Sequence, residues 1–556
     1  MRKNWVNKIV VCGIILLFVG TSVGPSISSD SRIKKISNQT NESTPLTSMA
    51  ANWTETQKLL ASNGEVGDCF GVSVSVDGDS ALIGADWDDD NGVDSGSAYV
   101  FTRTGTIWTQ QAKLLASDGA AGDWFGCSVS LDRGTALIGA PRDDDNGVYA
   151  GSVYVFTYTG TTWTQQAKLL ASDGAAEDWF GWSVSLDGDT AIIGAMDDDD
   201  NGTDSGSVYV YTRTGNTWTV QAKLIASDGA VGKVFGSSVS FDGDTALIGA
   251  FGEDNGTGSA YVFTRTGTTW TQQAKLLASD GAAWDWFGVS VSLDGDTALI
   301  GASGFVFSEN FLGSVYVFTR TGTSWTQQAK LLTSDGAAGD YFGYSVSLAG
   351  DTAFIGAWSD DDNGSSSGSA YVFTRIGSTW TQQAKLLASG GAAGDYFGYS
   401  VSLAGDTTLI GAYGDENLAG SAYVFTKENQ PPNPPTITGP ASGKKGQPYN
   451  YTFNTTDPNG DNVYYFIDWG DNTSSGWIGP YSSGHEITQS HTWSKGTYTI
   501  KAKAKDMYGS ESSWATLTVT MPNDLAYIPF PFLQILEKLM ERFPHAFPIL
   551  RELLGY

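Results

Sequence analysis

A Phe-Gly pair returns seven times along this chain, at Phe70, Phe125, Phe180, Phe235, Phe287, Phe342 and Phe397. The spacings are 55, 55, 55, 52, 55 and 55 residues. A fixed period of this length marks one supersecondary unit copied along the chain. Each unit runs S-V-S-L, a tight acidic or glycine turn, T-A-L-I-G-A, an acidic loop, G-S-x-Y-V-F, and T-R-T-G-x-x-W-T-Q-Q-A-K-L-L, with small variations. These read as four strands. In the second unit they are the Ser/Val alternation at 128–131, the apolar run at 136–138, the run at 153–156, and Trp163 to Leu170. Strands apolar on both faces need cover on both sides. Radially packed four-stranded blades supply it and leave only short edges. A solenoid has far shorter repeats, so the reading is an all-β, seven-bladed β-propeller.

Counting strands predicts how the ring closes. Seven Trp-led strands begin at Trp53, Trp108, Trp163, Trp218, Trp270, Trp325 and Trp380, and the first precedes the first Phe-Gly. The last unit ends at Phe425 with no such strand after it. Trp53–Leu60 is therefore expected to complete the last blade, hiding a seam whose free edge would invite aggregation.

The segments F-G-x-S-V-S-L, L-I-G-A and S-A-Y-V-F resemble the FG-GAP repeat of integrin α-chain propellers, in its bacterial and archaeal variety. The resemblance covers residues 51–427. It implies a seven-bladed ring and, by analogy, adhesion or ligand binding. In integrin-type repeats calcium sits in an Asp-rich loop between the first and second strands. Here that connection is only Leu186–Thr190 or its equivalent. It is too short to encircle an ion that needs about six to eight oxygens, so that site is not carried over.

Acidic residues cluster instead between the second and third strands. The candidate metal ligands are Asp88, Asp89, Asp90, Asp143, Asp144, Asp145, Asp198, Asp199, Asp200, Asp360, Asp361 and Asp362, with Asp86, Asp197, Glu253–Asp254 and Asp415–Glu416 nearby. Consecutive carboxylates repel unless solvated or bridged by a cation, and hard divalent ions such as calcium prefer such oxygen ligands. The spacing misses the EF-type loop, with Gly92 one residue late. Two readings stand: a calcium loop, or a solvated turn built on Asn-Gly. Repeat five lacks this loop and carries Ser303–Phe311 in its place.

In an up-and-down blade these loops share a face with the loops that lead into the next Phe-Gly. Aromatics gather there too: the candidate ligand-face residues are Trp124, Trp179, Trp286, Tyr341 and Tyr396, with Trp182, Tyr344 and Tyr399 just beyond. Rings beside carboxylates bind sugars or cationic groups, or else wedge blades together. The opposite face receives Arg103, Arg213, Arg265, Arg320 and Arg375. A polarised disc is expected, acidic and aromatic on one side, more basic on the other.

After the proline linker 428–436, residues 437–521 alternate in short strands, as an Ig-like β-sandwich does. The segments D-P-N-G-D (457–461), D-W-G-D (468–471) and G-T-Y-T-I resemble the PKD domain. This implies a spacer or a protein- and glycan-contacting module, with the Asp residues read as turn-formers. In the tail 522–556, Leu533–Phe543 and Phe547–Leu554 read as short amphipathic helices, separated by Pro544 and Pro548 and too short to span a bilayer. At the other end, Arg2, Lys3 and Lys8 precede an apolar Ile9–Val19, the order of a signal peptide over 1–28, with an uncleaved anchor as the alternative. A Ser/Thr/Asn-rich linker covers 29–50. Beyond Cys12, only Cys69 and Cys127 occur, which excludes a disulfide scaffold; pairing of the two is not expected, since they hold different positions of successive repeats. Nine Asn-x-Ser/Thr triplets suit an exported chain.

The net charge of −29 argues against nucleic-acid binding, which needs basic patches. The three histidines lie outside the propeller, and no nucleophile elbow, zinc-type pair or phosphate loop occurs. No catalytic residues are expected. The chain reads as a secreted or cell-surface adhesion or ligand-binding protein, using a multivalent acidic face and calcium, with a cell-envelope protein or glycan as partner. The alternatives are a structural envelope component and an extracellular carbohydrate-active enzyme on a propeller scaffold.

Overall fold

A computed structural model describes residues 53–304 and 312–522, together with 534–535, 538–539 and 541–542 of the tail. The expected signal segment and linker over 1–50, most of the Ser303–Phe311 segment and the expected second tail helix lie outside the described residues. The described tail residues are helical.

Seven four-stranded antiparallel sheets follow one another, one per repeat. In the second blade the strands are Ser128–Asp132, Thr135–Ala140, Ser152–Tyr158 and Trp163–Leu169, from innermost to outermost. The middle two are buried on both faces, as their unbroken apolar sequence requires. The seventh blade takes its outer strand from the start of the ring: Trp53–Leu59 pairs antiparallel with Ser421–Lys427. Its register slips between Glu55 and Gln57, the same bulge that the outer strand makes in the other blades. The expected closure is therefore present.

The Ser alternation has a structural cause. Ser75 Oγ accepts the amide of Leu131 in the next blade at 3.0 Å. Ser130, Ser185, Ser240, Ser292 and Ser347 repeat the bond from blade to blade. Ser402 then accepts from Val76 at 3.1 Å and closes the circle. Seven equivalent bonds thus stitch the inner strands, satisfying amides that no strand on the axis side can pair. The glycine of L-I-G-A is required for the same contact. A Cβ on Gly84 would collide with the carbonyl of Gly126, in the Phe-Gly of the next blade. At the rim, indole N–H groups of Trp163, Trp218, Trp270, Trp325 and Trp380 donate to a glutamine of the preceding blade.

The C-terminal domain is a sandwich of a three-stranded and a four-stranded sheet. Trp469, Trp493, Tyr451, Phe453 and Tyr465 pack in its core. The proline segment before it is not a bare spacer. Asn429 donates to Asp506 and Ser510 at 2.8 Å each, and Gln430 N–H donates to Asn459 at 2.7 Å.

Candidate ligand-binding face

Each acidic loop closes on a lysine of its own blade. In blade one, Asp88 accepts from Ser97 at 3.0 Å, Tyr99 at 2.9 Å and Lys113 at 2.6 Å. Asp143 meets Tyr154 at 2.7 Å and Lys168 at 2.8 Å. Asp198 with Lys223, Asp360 with Lys385, and Glu253 with both Lys275 and Lys233 repeat the scheme. In blade seven Asp415 takes its ammonium from Lys58, on the closing strand, at 2.6 Å. These six carboxylates are at most 5% exposed, and a buried carboxylate without a partner costs several kcal/mol. Burial pushes Asp88 up, but bonds from Lys113, the Asp90 amide and Tyr99 hold it below the ordinary range. The same burial pushes the Tyr99 hydroxyl up to about 12.

The other acids of each loop have separate duties. Asp90, Asp145, Asp200 and Asp362 reach the same lysine at 2.5–2.7 Å. Asp89, Asp144, Asp199 and Asp361 accept the amide five residues on, at 2.7–2.8 Å, which closes the loop. All twelve residues named as metal ligands are thus engaged within the chain. Among the described residues no three His, Cys, Asp or Glu side chains form a metal-holding group. Beside the buried carboxylate of each of these loops the cation is a lysine ammonium. Sequence reading missed it because K-L-L lies on the outer strand, and only the tertiary fold folds it back over the loop.

The basic excess expected on the opposite face does not materialise. Arg103, Arg213, Arg265, Arg320 and Arg375 pair at 2.6–2.8 Å with Asp79, Asp189, Asp244, Asp296 and Asp351 of the neighbouring turn. Each of these arginines is matched by an aspartate, and Asp77, Asp132, Asp187, Asp242 and Asp294 of the same turns accept a backbone amide of the next blade.

The five aromatic candidates divide. Trp124, Trp179 and Trp286 are buried. Tyr341 and Tyr396 are half-buried. All five adopt a positive φ between 56° and 59°, an unusual conformation for bulky residues. Its recurrence in successive blades gives it a structural role: it turns the chain into the Phe-Gly, and Trp124 N–H donates back to Asp94 of the acidic loop. On blades six and seven the half-buried rings join others in an arc. Tyr341 stacks on Trp358 at 4.8 Å, Trp358 meets Tyr396 at 5.4 Å, and Tyr396 stacks on Tyr413 at 5.0 Å. Tyr399 lies 4.5 Å from Tyr413, and its hydroxyl is 3.0 Å from that of Tyr344. Across the ring, Arg142 lies over Trp124 at 3.4 Å.

Trp358 and Tyr413 escaped the sequence reading, yet a signal was there. They follow L-I-G-A directly, where the repeats carry Asp86, Pro141, Met196, Phe251, Ser303, Trp358 and Tyr413. A position that changes in every copy of a near-identical repeat is not fixed by the blade.

At this position blade one holds Asp86, which is 1% exposed, and neither of its oxygens reaches a donor on another residue. Burial pushes its carboxyl up to about 7, with Arg142 opposing. A folded-state value raised above the unfolded one means the fold loses stability as pH rises from about 4 to about 7. Asp86→Asn is expected to stabilise the protein by about 2–4 kcal/mol at pH 8, at about 1.4 kcal/mol per unit, and by little at pH 4. Urea unfolding at the two pH values measures this; an equal effect at both would refute the account.

Fold and site define a class: a repeat-built β-propeller with a PKD-like sandwich, the kind of scaffold that presents a ligand-binding face outside the cell. The FG-GAP repeat model matches residues 53–101, 108–156, 163–211, 218–263, 270–318, 325–373 and 380–425, and the chain belongs to that family. No curated protein matches it. One similar solved structure is the PKD domain of an M14-like peptidase from Thermoplasmatales archaeon SCGC AB-540-F20. It shares 61% sequence identity, covering 17% of this chain and 100% of that one, with a TM-score of 0.17. Another is immunoglobulin domains 1–5 of Sidekick-1, at 10% identity and a TM-score of 0.14, covering 67% of this chain and 86% of that one.

Proposed function

We propose that this is a non-enzymatic, secreted or cell-surface adhesion protein whose propeller binds a neutral or cationic glycan of the cell envelope. The observation that carries this reading is the aromatic arc of blades six and seven. Its rings offer stacking faces, its tyrosines offer hydroxyls, and the positions forming it vary among otherwise uniform repeats. Rings of this kind pack on the C–H face of a sugar while hydroxyls and nearby carboxylates take its polar edge. The charge of −29 disfavours an anionic ligand. In this reading the acidic loops are rigid, lysine-neutralised supports, and binding at the arc needs no calcium in them.

Pull-down of the mature chain on isolated envelopes, with calcium and then with chelator, tests the reading. Trp358→Ala with Tyr413→Ala is expected to weaken binding at least tenfold, since each stacked ring contributes about 1 kcal/mol or more. Tyr158→Ala, at the turn that ends the third strand of blade two and in the repeat position of Arg103, serves as control. Undiminished binding by a folded double variant would favour a structural envelope role, and release of sugar fragments would favour an enzyme.

A further inference from the structure

The residue after Phe-Gly varies from copy to copy, and only in blades six and seven is it tyrosine, at Tyr344 and Tyr399. Those blades are neighbours, and the Leu403 amide of one donates to Ser347 Oγ of the other at 3.0 Å. The same packing brings the two phenols together. Their ring centroids are 4.9 Å apart with the planes tilted by 40°, and the Tyr344 hydroxyl donates to that of Tyr399 at 3.0 Å. Both rings are half-buried, so they are held in place and stay within reach of a small molecule. An oxidised phenol couples through the carbon ortho to its hydroxyl, and a hydroxyl-to-hydroxyl contact brings two such edges together. Trp358 lies edge-on to both, at 5.9 Å from Tyr344 and 6.3 Å from Tyr399. An oxidised indole at contact distance is refilled from a phenol, so an electron lost from Trp358 is drawn from this pair. No disulfide ties one blade to another among the described residues.

We propose that Tyr344 and Tyr399 form a site of oxidative modification, at which a peroxide acting through a haem catalyst joins them as a dityrosine that ties blade six to blade seven. Each phenol gives up one electron and its hydroxyl proton. The two radicals pair their electrons in one carbon–carbon bond between ortho positions. The hydrogens on those carbons move back to the oxygens, which restores both phenols. The sum is two electrons and two protons lost, and one hydrogen peroxide takes up all four and becomes two waters. The link closes 55 residues of chain, so it restricts the unfolded state as a disulfide of that span does. It forms with or without a glycan on the arc.

Treating the full chain with hydrogen peroxide and a haem peptide, dilute enough to keep chains apart, tests this. The expected product is a monomer with dityrosine fluorescence and one cross-linked peptide pair holding Tyr344 and Tyr399, two hydrogens lighter than the separate peptides. Its unfolding midpoint in urea is expected to rise. Tyr344→Phe and Tyr399→Phe keep the rings and remove one hydroxyl each, and either is expected to lower the yield at least tenfold. Tyr413→Phe, beside the pair, and Tyr158→Phe, far from it, should leave the yield unchanged. A link mapped to another pair of tyrosines, a yield that survives Tyr344→Phe, dityrosine found only between chains, or none at all would overturn the assignment. Glycan binding is read on the unoxidised chain, so the two readings fail separately.

Discussion

A chain lacking residues 51–61 is expected to have no stably folded propeller at 37 °C. The segment supplies Trp53, which is 8% exposed and packs edge-on against Phe354 at 4.7 Å, and Leu59, which is 1% exposed. Burying the two contributes about 2–3 kcal/mol each. Its ladder to Ser421–Lys427 adds hydrogen bonds at roughly 1 kcal/mol apiece. Removing it also takes Lys58 from Asp415 and leaves a buried carboxylate alone, at a cost of about 3–5 kcal/mol. The total, about 10 kcal/mol or more, matches the whole stability of an ordinary domain, about 5–15 kcal/mol. Circular-dichroism melting of the truncated chain is the measurement, and adding residues 51–61 as a peptide should restore part of the lost transition. A truncation that melts at the parent temperature would mean the seam is closed some other way.

Lys168→Met is expected to destabilise the propeller by about 3–5 kcal/mol, because it leaves Asp143 buried and charged. Lys168 meets Asp118, Asp143 and Asp145 at 3.0, 2.8 and 2.5 Å, and Asp143 is only 3% exposed. For a domain of this size the loss lowers the melting temperature by about 5–10 °C. Adding Asp143→Asn to Lys168→Met should recover much of it, since a neutral amide in place of the carboxylate removes the charge that lysine balances. If the parent acidic loops were calcium sites, calcium would raise the parent's melting temperature and chelator would lower it through these loops, and Asp144→Asn would abolish the effect. The lysine arrangement leads to the opposite expectation: Asp144→Asn changes no calcium response, and Lys168→Met is destabilising in chelator and in calcium alike.

The aromatic positions show where a one-dimensional reading fails. Trp124 and Tyr341 hold the same place in their repeats and the same positive φ, yet one is buried and the other half-open. The difference lies in the residue after L-I-G-A and its neighbour: Pro141 and Arg142 by Trp124, and Trp358 by Tyr341. In Arg142 a guanidinium covers the indole at 3.4 Å, whereas Trp358 extends the aromatic surface. These partners are separated along the chain, so only the folded blade sets them side by side.

The sequence by itself determined the number of blades, their four strands and the closing strand. A repeat of near-constant length, with strand periodicity and a Trp-led strand missing at one end and present at the other, admits one economical ring. It also marked both faces of the disc, because strand order fixes which loops lie together. Only the tertiary structure decided what those faces do. Lys113 and Asp88 stand 25 residues apart, Lys58 and Asp415 much farther, and their bonds depend on strand register and side-chain direction, which composition does not encode. The meeting of Tyr344 and Tyr399 belongs to the same kind: each was visible just after its Phe-Gly, but that their hydroxyls would touch was settled by the packing of blade six on blade seven.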